Sequence, residues 1–462
     1  MMQLSQVSQA VDGQMIGKDV ALLGLTTDTR FQCNDQLFVA LKGENFDAHD
    51  FVAQAEHAGA SALLVEHEVD SELPKVIVVD CHQALKDIAS WWRAQFVIPV
   101  IGVTGSVGKT SVKEMLGCIF SEIGQGVVTQ GNLNNEIGMP LTLMKLDKDD
   151  RYAIVEMGMN HAGEIDRLTR IAKPTIAVIN NAAAAHLERL GTVEAVAKAK
   201  GEIFAGLSDD GVAVINADDT YANLWRELIG ERHSWSFGFS ESADVRAEYE
   251  TKQYGLKIKV KAPEQEFKVK LATFGKHNVS NALAAIAVAL CANIPAKLIA
   301  AGLEKYRPIN GRLTITKIDG ITIIDDTYNA NPASMQAAIE VLSDYQNSVL
   351  IVGDMAELGE GVDAAHRDIG RQAAKYKIDS LYACGEFSQS VVSEFNGSSE
   401  AFETQEDLIN ALDDRLSKLN SVRPTILVKG SRGAKMENVV AHLQDLIGAA
   451  EQNKVIGGSQ AC

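Results

Sequence analysis

The junction around residue 104 constrains this chain more than any other stretch. An apolar run at residues 97–103 predicts a buried parallel strand. It ends in the small, glycine-rich turn Thr104-Gly105-Ser106-Val107-Gly108, and Lys109-Thr110-Ser111 follow. Beyond them Val112, Met115, Leu116, Ile119 and Phe120 fall on one side of a helical pattern. A strand that turns on glycines into a helix aims main-chain N–H groups at one spot, where the helix N-terminus adds partial positive charge. Such a turn cradles phosphates, with Lys109 reaching the outer ones and the Thr110 hydroxyl placed for magnesium. The stretch departs from G-x-x-x-x-G-K-[ST] in one place: Val103 stands at the first position, and Gly102 is one residue early.

Length and charge bound the rest. The chain has 462 residues, enough for about three domains with their own cores. With 46% hydrophobic and 23% charged residues it reads as globular throughout. A net charge of −18 argues against a nucleic-acid or anionic-membrane partner. It leaves room for anionic substrates, because a basic pocket can sit in an acidic protein. The six cysteines form no CxxC pair and no zinc spacing, which predicts reduced thiols in a cytoplasmic protein. The first residues lack the charged and apolar regions of a signal peptide. Residues 282–301, the most apolar stretch, are interrupted by Asn293, Pro295 and Lys297, so they predict packed helix and no membrane insertion.

Taken in order, the chain predicts an α/β protein of three domains. Residues 1–96 form a small mixed α/β domain, with strands at 37–41, 62–65 and 76–79 and a helix at 53–60. Two of its clusters, Thr29 with Arg30 and Lys42 with His49, are open between a solvated loop and a diphosphate site. Residues 97–311 form a central, mostly parallel P-loop sheet. Its strands at 152–155, 175–179 and 212–215 alternate with helices at 163–171 and 193–207. Glu156 and Asn180-Asn181 fall at carboxyl ends of strands, where ligands bind. Glu156 is open between a magnesium ligand and a cap or ion pair, while spacing alone makes His186 and Lys200 structural or solvated. Alternation at 256–261 and 267–271 predicts an antiparallel pair with one wet face. Asn278 and Asn281 open the alanine-rich helix, either as ordinary caps or as readers of a base edge. Residues 312–462 form a doubly wound, Rossmann-like domain with strands at 321–324, 349–352, 380–383 and 425–428, polar loops after each, and a loose tail from 450.

The motifs together carry a resemblance. Thr104-Gly-Ser-Val-Gly-Lys-Thr110, Glu156-Met-Gly158, Asn180-Asn181 with His186, Ala199-Lys-Gly-Glu-Ile-Phe204, Gly275-Lys-His-Asn278 and Lys429-Gly-Ser-Arg432 resemble the Mur ligases. These are the ATP-dependent amide-forming enzymes of bacterial cell-wall precursor synthesis. Asn134-Asn135-Glu-Ile-Gly138, Asp325-Asp-Thr-Tyr-Asn-Ala-Asn-Pro332 and Gly353-Asp-Met355 with Glu357-Leu-Gly359 look like the members that add D-alanyl-D-alanine, and Asp28-Thr-Arg30 fits as well. Val107 stands where a more polar residue is expected.

The resemblance implies ATP, UDP-N-acetylmuramoyl-tripeptide and D-alanyl-D-alanine as substrates. It implies two Mg²⁺ ions, one on Thr110 and Glu156 and one on His186 and a carbamylated Lys200. Lys109, Glu156, His186 and Lys200 become the catalytic group. Gly105 to Ser111 wrap the phosphates, Asn278 and Asn281 lie near the adenine, Arg312 near the phosphates and Asp326 near the ribose. Thr29, Arg30, Lys42 and His49 become candidates for the UDP end. Asn134, Asn135, Asn329, Lys429 and Ser431 become candidates for the peptide substrates or the acyl phosphate. A monomer suffices for this chemistry. The alternatives are another amide ligase of the superfamily, such as a folylpolyglutamate synthase, and a P-loop NTPase without an acceptor.

Overall fold

The computed structural model describes residues 1–252, 255–419 and 422–458, excepting the side chains at 414, 416–419 and 449–458. Its centre is a nine-stranded sheet. The strand Val100–Thr104 lies between Ile176–Ile179 and Ala153–Glu156, both parallel to it. The chain therefore leaves toward opposite sides of the loop strand, which opens a crevice at the carboxyl ends. The register sets Glu156 beside Val103 and Ile179 beside Thr104. The loop is thus flanked by Glu156 on one side and Asn180-Asn181 on the other.

Helices cover both faces. Lys109–Phe120, Lys276–Cys291 and Ala296–Lys305 pack on one face in a single apolar cluster. On the other face the core runs without a break into the first sixth of the chain. There a five-stranded sheet stands, in the order Gln14–Ile16, Lys75–Ile77, Ala62–Val65, Gln36–Val39, Gly24–Thr26. Its helix Cys81–Arg93 packs on the central helices Gly138–Leu143 and Glu164–Ala172. The buried Arg93 guanidinium donates to the carbonyls of Phe96 (2.8 Å), Ala172 (2.9 Å) and Lys173 (3.2 Å), and Trp92 Nε1 donates to Leu146 O (3.2 Å). The third sheet has six strands, of which only Thr314–Ile318 runs antiparallel to its neighbour. Apolar clusters fill both of its faces.

Several sequence expectations change in detail. The loop strand starts at Val100, because Pro99 lacks an N–H for the ladder and Val97 is fully exposed. The alanine-rich stretch is two helices, split where Asn293 turns to φ 59° and Pro295 caps the second. The helix foreseen at 193–207 is α-helical to Gly201 and continues as the 3₁₀ turn Glu202–Gly206. The antiparallel pair is a three-stranded addition, Val245–Lys252, Gly255–Ala262 and Gln265–Leu271, that prolongs the parallel sheet. The strand Ser398–Phe402 has no clear signal in the sequence. Helix Glu437–Gly458 occupies much of the foreseen tail, and residues 459–462 lie outside the described ones.

Candidate active site

The phosphate loop is held from below by amides. Asn181 Oδ1 accepts from Val107 N (2.9 Å), and Val107 O accepts from both Asn180 Nδ2 (2.8 Å) and Asn181 Nδ2 (2.9 Å). The main chain of Val107 is what the neighbours grip, so an apolar side chain suffices there. Asn180 Nδ2 also donates to Asn281 Oδ1 (2.8 Å), Asn281 Nδ2 donates to Asn278 Oδ1 (3.1 Å), and Asn278 Nδ2 donates to Thr273 Oγ1 and Phe274 O. This buried relay ties the loop to the start of helix Lys276–Cys291. Gly108 has φ 81°, and a Cβ there would stand 2.3 Å from Asn281 Oδ1. Lys109 Nζ folds back onto Gly105 O at 2.6 Å.

Around the loop Glu156 and Lys200 are buried, and Lys109 and His186 are half-buried. Glu156 Oε1 accepts from Asn134 Nδ2 at 2.7 Å, and its buried Oε2 has no hydrogen-bond partner among the described residues. Asn135 Oδ1 instead accepts from the N–H groups of Ile137 and Gly138, just ahead of helix Gly138–Leu143. Lys200 is 1% exposed. Burial drives its pKa well below the ordinary lysine value, and neighbouring Lys109 pushes the same way. Burial lowers Lys109 too, against the pull of Glu156. His186 sits in the left-handed region at φ 57°. Burial lowers its pKa, Glu357 opposes that, and Lys109 and Lys200 reinforce it.

The donor chemistry fits a divalent cation on the Glu156 side. A carboxylate oxygen with no partner and the Thr110 hydroxyl are hard ligands, although Arg312 Nη2 contacts Thr110 Oγ1 at 3.0 Å in this arrangement. On the other side stand His186 and Lys200, and a bare lysine is no magnesium ligand. Among the described residues, no group of three or more His, Cys, Asp and Glu forms a metal cluster by itself.

The third sheet closes the site from above. Arg312 stacks on Tyr328, 4.1 Å from the ring centroid. Lys429, 2% exposed, donates to Asp326 Oδ2 (2.5 Å) and Asn329 O (3.0 Å). Asn329 Oδ1 accepts from the N–H groups of Ala330 and Arg432. Val107, Gly108, Asn278, Asn281, Arg312 and Asp326 are among the residues that line one cleft of about 540 Å³, open mouth included. Ser431 lies buried beside Lys429, its N–H donating to Asp354 O (2.9 Å). Neither the Lys429–Asp326 pair nor the 2.6 Å approach of Glu357 Oε2 to His186 Nδ1 has a signal in local sequence. Each joins residues more than 100 positions apart.

The first unit divides its candidates. Arg30 is exposed and chelated by Asp28, whose carboxyl it holds down to about 2, and Thr29 Oγ1 meets Gln54 Oε1 at 3.4 Å. The Lys42 side chain is likewise exposed. His49 must be corrected. It is buried, its Nδ1 meets Asp47 Oδ1 at 2.6 Å, and its Nε2 accepts from Glu66 N at 2.9 Å. With both ring nitrogens engaged inside the unit, it has nothing to offer a diphosphate.

A nucleotide-type loop between two α/β sheets, with a buried carboxylate and lysine at its mouth, defines a class of ATP-using, amide-forming enzymes. The family model of the Mur ligase middle domain matches residues 103–289, and that of the Mur ligase glutamate ligase domain matches 311–432. The chain belongs to the Mur ligase family. Within it, the chain is 42% identical to the UDP-N-acetylmuramoyl-tripeptide–D-alanyl-D-alanine ligase of Escherichia coli K12, over 96% of this chain and 98% of that one. Among solved structures, MurF from Acinetobacter baumannii superposes with a TM-score of 0.89 at 35% identity, covering 96% of this chain and 98% of that chain. MurF ligase from Thermotoga maritima, solved in complex with ADP, superposes at 0.82 with 28% identity, covering 92% and 98%.

Proposed function

We propose that the chain joins D-alanyl-D-alanine to UDP-N-acetylmuramoyl-tripeptide at the expense of ATP, giving the UDP-muramoyl-pentapeptide precursor of peptidoglycan. The observation that carries this reading is the cleft itself. There the phosphate loop of the central sheet meets Arg312, Asp326 and Lys429 of the third, with Glu156 and Lys200 buried beside it. The named relatives supply the substrates, and ATP follows from the loop and from the ADP bound by the Thermotoga protein.

The chemistry needs such a cleft. A carboxylate condenses with an amine only after its oxygen becomes a good leaving group. Transfer of the γ-phosphoryl of ATP to the terminal carboxylate of the tripeptide forms an acyl phosphate. The free amine of the dipeptide then attacks the acyl carbon, and the tetrahedral intermediate expels phosphate. Carboxylate and triphosphate repel each other, so positive charge must be concentrated where they meet. Lys109 and Arg312 supply it from this chain, and the loop N–H groups bind the phosphates. Thr110 and Glu156 would hold one Mg²⁺, and His186 with a carbamylated Lys200 a second, and such ions would supply further positive charge between the two anions. Lys200 suits that modification because burial disfavours the charged form of its amine, and the neutral amine is the form that attacks CO₂. Asn278 and Asn281 frame the adenine side, and Asp326 the ribose side. Thr29, Arg30 and Lys42 receive the UDP end, and Asn329, Lys429 and Ser431 face the incoming dipeptide. The reaction belongs in the cytoplasm, where ATP is made, and one copy of the chain suffices.

The deciding experiment is phosphate release from ATP and Mg²⁺ with UDP-muramoyl-tripeptide, with and without D-alanyl-D-alanine. Release that needs both, with a pentapeptide product by mass, is expected. Release with ATP alone would point to an NTPase, and release only with folate and glutamate to a different amide ligase.

A further inference from the structure

Arg312 reaches the phosphate loop from just ahead of the third sheet's first strand, Thr314–Ile318. It stands between two residues in left-handed backbone, Gly311 at φ 75° and Leu313 at φ 54°. A leucine keeps that conformation only where its surroundings impose it, and such strain gathers at functional sites. The surroundings are the turn that follows strand Ile321–Asp326. Gly311 N donates to Asp325 Oδ2 (3.2 Å), Leu313 N donates to Asp326 Oδ1 (3.2 Å), and Tyr328 N donates to Gly311 O (3.0 Å). The turn is itself fixed. The Thr327 hydroxyl and N–H both donate to Asp325 Oδ1, and Lys429 donates to Asp326 Oδ2 and Asn329 O, before and after Tyr328 in sequence. What the turn presents to Arg312 is the face of the Tyr328 ring, 4.1 Å from guanidinium carbon to ring centroid. Beyond the ring, Arg312 Nη2 donates to Thr110 Oγ1 at 3.0 Å, and the buried Nε has no hydrogen-bond partner among the described residues. Buried donors are almost always paired, so this one is capacity left for a ligand.

We infer that Tyr328 is a positioning residue for nucleotide binding: its ring carries the Arg312 guanidinium and sets that charge at the phosphate loop. A ring face attracts a guanidinium through its quadrupole, and the attraction grows as water is excluded. An arginine side chain otherwise spreads over many rotamers, and ordering it on binding costs affinity. The ring meets that cost within the fold. The stack needs a planar cation, which lysine does not provide, and it needs the ring face rather than the phenol hydroxyl. The inference rests on the reading of Arg312 as a phosphate contact in the proposed function.

The test separates the two. Binding of the non-hydrolysable ATP analogue AMP-PNP, with Mg²⁺ present, is measured by calorimetry on the full-length chain, unaltered and as Arg312→Ala, Tyr328→Phe, Tyr328→Leu and the R312A/Y328L double variant. Turnover is measured on the same samples. Weaker binding in R312A defines the arginine contact; if R312A binds as the unaltered chain does, the phosphate reading of Arg312 falls and the inference falls with it. Given that contact, Y328L is expected to weaken AMP-PNP binding about 5–30-fold and Y328F to stay within about twofold. The KM for UDP-muramoyl-tripeptide should hold in both, which a general loosening of the cleft would not allow. The double variant should bind no worse than R312A, because the ring acts only through the guanidinium. Unchanged affinity in Y328L overturns the inference. So does a loss in Y328F equal to that in Y328L, or a loss from Y328L that recurs in full on top of R312A. Tyr328 is half-buried and lines the cleft, so leucine should be accommodated. Thermal unfolding checks this, and Tyr328→Gln takes its place, with the same outcomes, if the leucine variant does not fold.

Discussion

Asn134 donates to one oxygen of Glu156 and leaves the other, buried, without a partner. The amide therefore decides which way the carboxylate faces. Asn134→Asp would set two carboxylates against each other in place of that bond. It is expected to raise the Mg²⁺ concentration needed for half-maximal activity about 10–100-fold, read from a metal titration of turnover. Gly108 makes a different point. Its φ of 81° and the 2.3 Å approach of Asn281 Oδ1 leave no place for a methyl group. Gly108→Ala should cost about 1–2 kcal/mol in backbone strain alone and break the amide relay to Asn278. Thermal unfolding should show the first effect and weakened ADP binding the second.

At the scale of elements, the loop helix Lys109–Phe120 depends on a neighbour distant in sequence. Helix Ala296–Lys305 approaches it so closely at Gly302 that a Cβ would stand 2.5 Å from Ile119 Cα. Gly302→Ala should therefore destabilise by about 1–3 kcal/mol through overpacking, measured by urea unfolding. Neighbouring elements of this kind divide what the sequence could tell. The loop, its strand and its helix are legible because glycine spacing and apolar periodicity are local. So are Glu156 and Asn180-Asn181, which a strand delivers by ending. His49 misleads because an imidazole in a polar loop looks the same whether it faces solvent or, as here, Asp47 and the Glu66 N–H. The bond from Asn134 to Glu156 has no local signal, because the carboxylate lies 22 residues on. Lys200 comes from the resemblance alone, since spacing favours a solvated lysine, whereas the structure buries it at 1% exposure.

For the whole molecule, the first sheet and the central sheet are one packed body, because a continuous apolar core and the Arg93 carbonyl clasp join them. Arg93→Leu leaves three carbonyls without their donor and should cost about 3 kcal/mol. Because the core is shared, proteolysis and tryptophan fluorescence are expected to report the first and central sheets unfolding together. The third sheet meets the centre through polar contacts at the cleft, such as Arg312 with Thr110 and Glu357 with His186, and through Phe274, which packs on its apolar cluster. Motion on nucleotide binding should therefore appear there, as hydrogen-exchange protection around residues 353–361. The clasp has a further consequence on the proposed reading. If the nucleotide end of the acceptor is gripped by the first sheet and its free carboxylate must reach the phosphate loop, the span between them is a constant of the fold. The rigid joint then works as a gauge: a stem one residue short stops before the phosphate, and a longer one overshoots it.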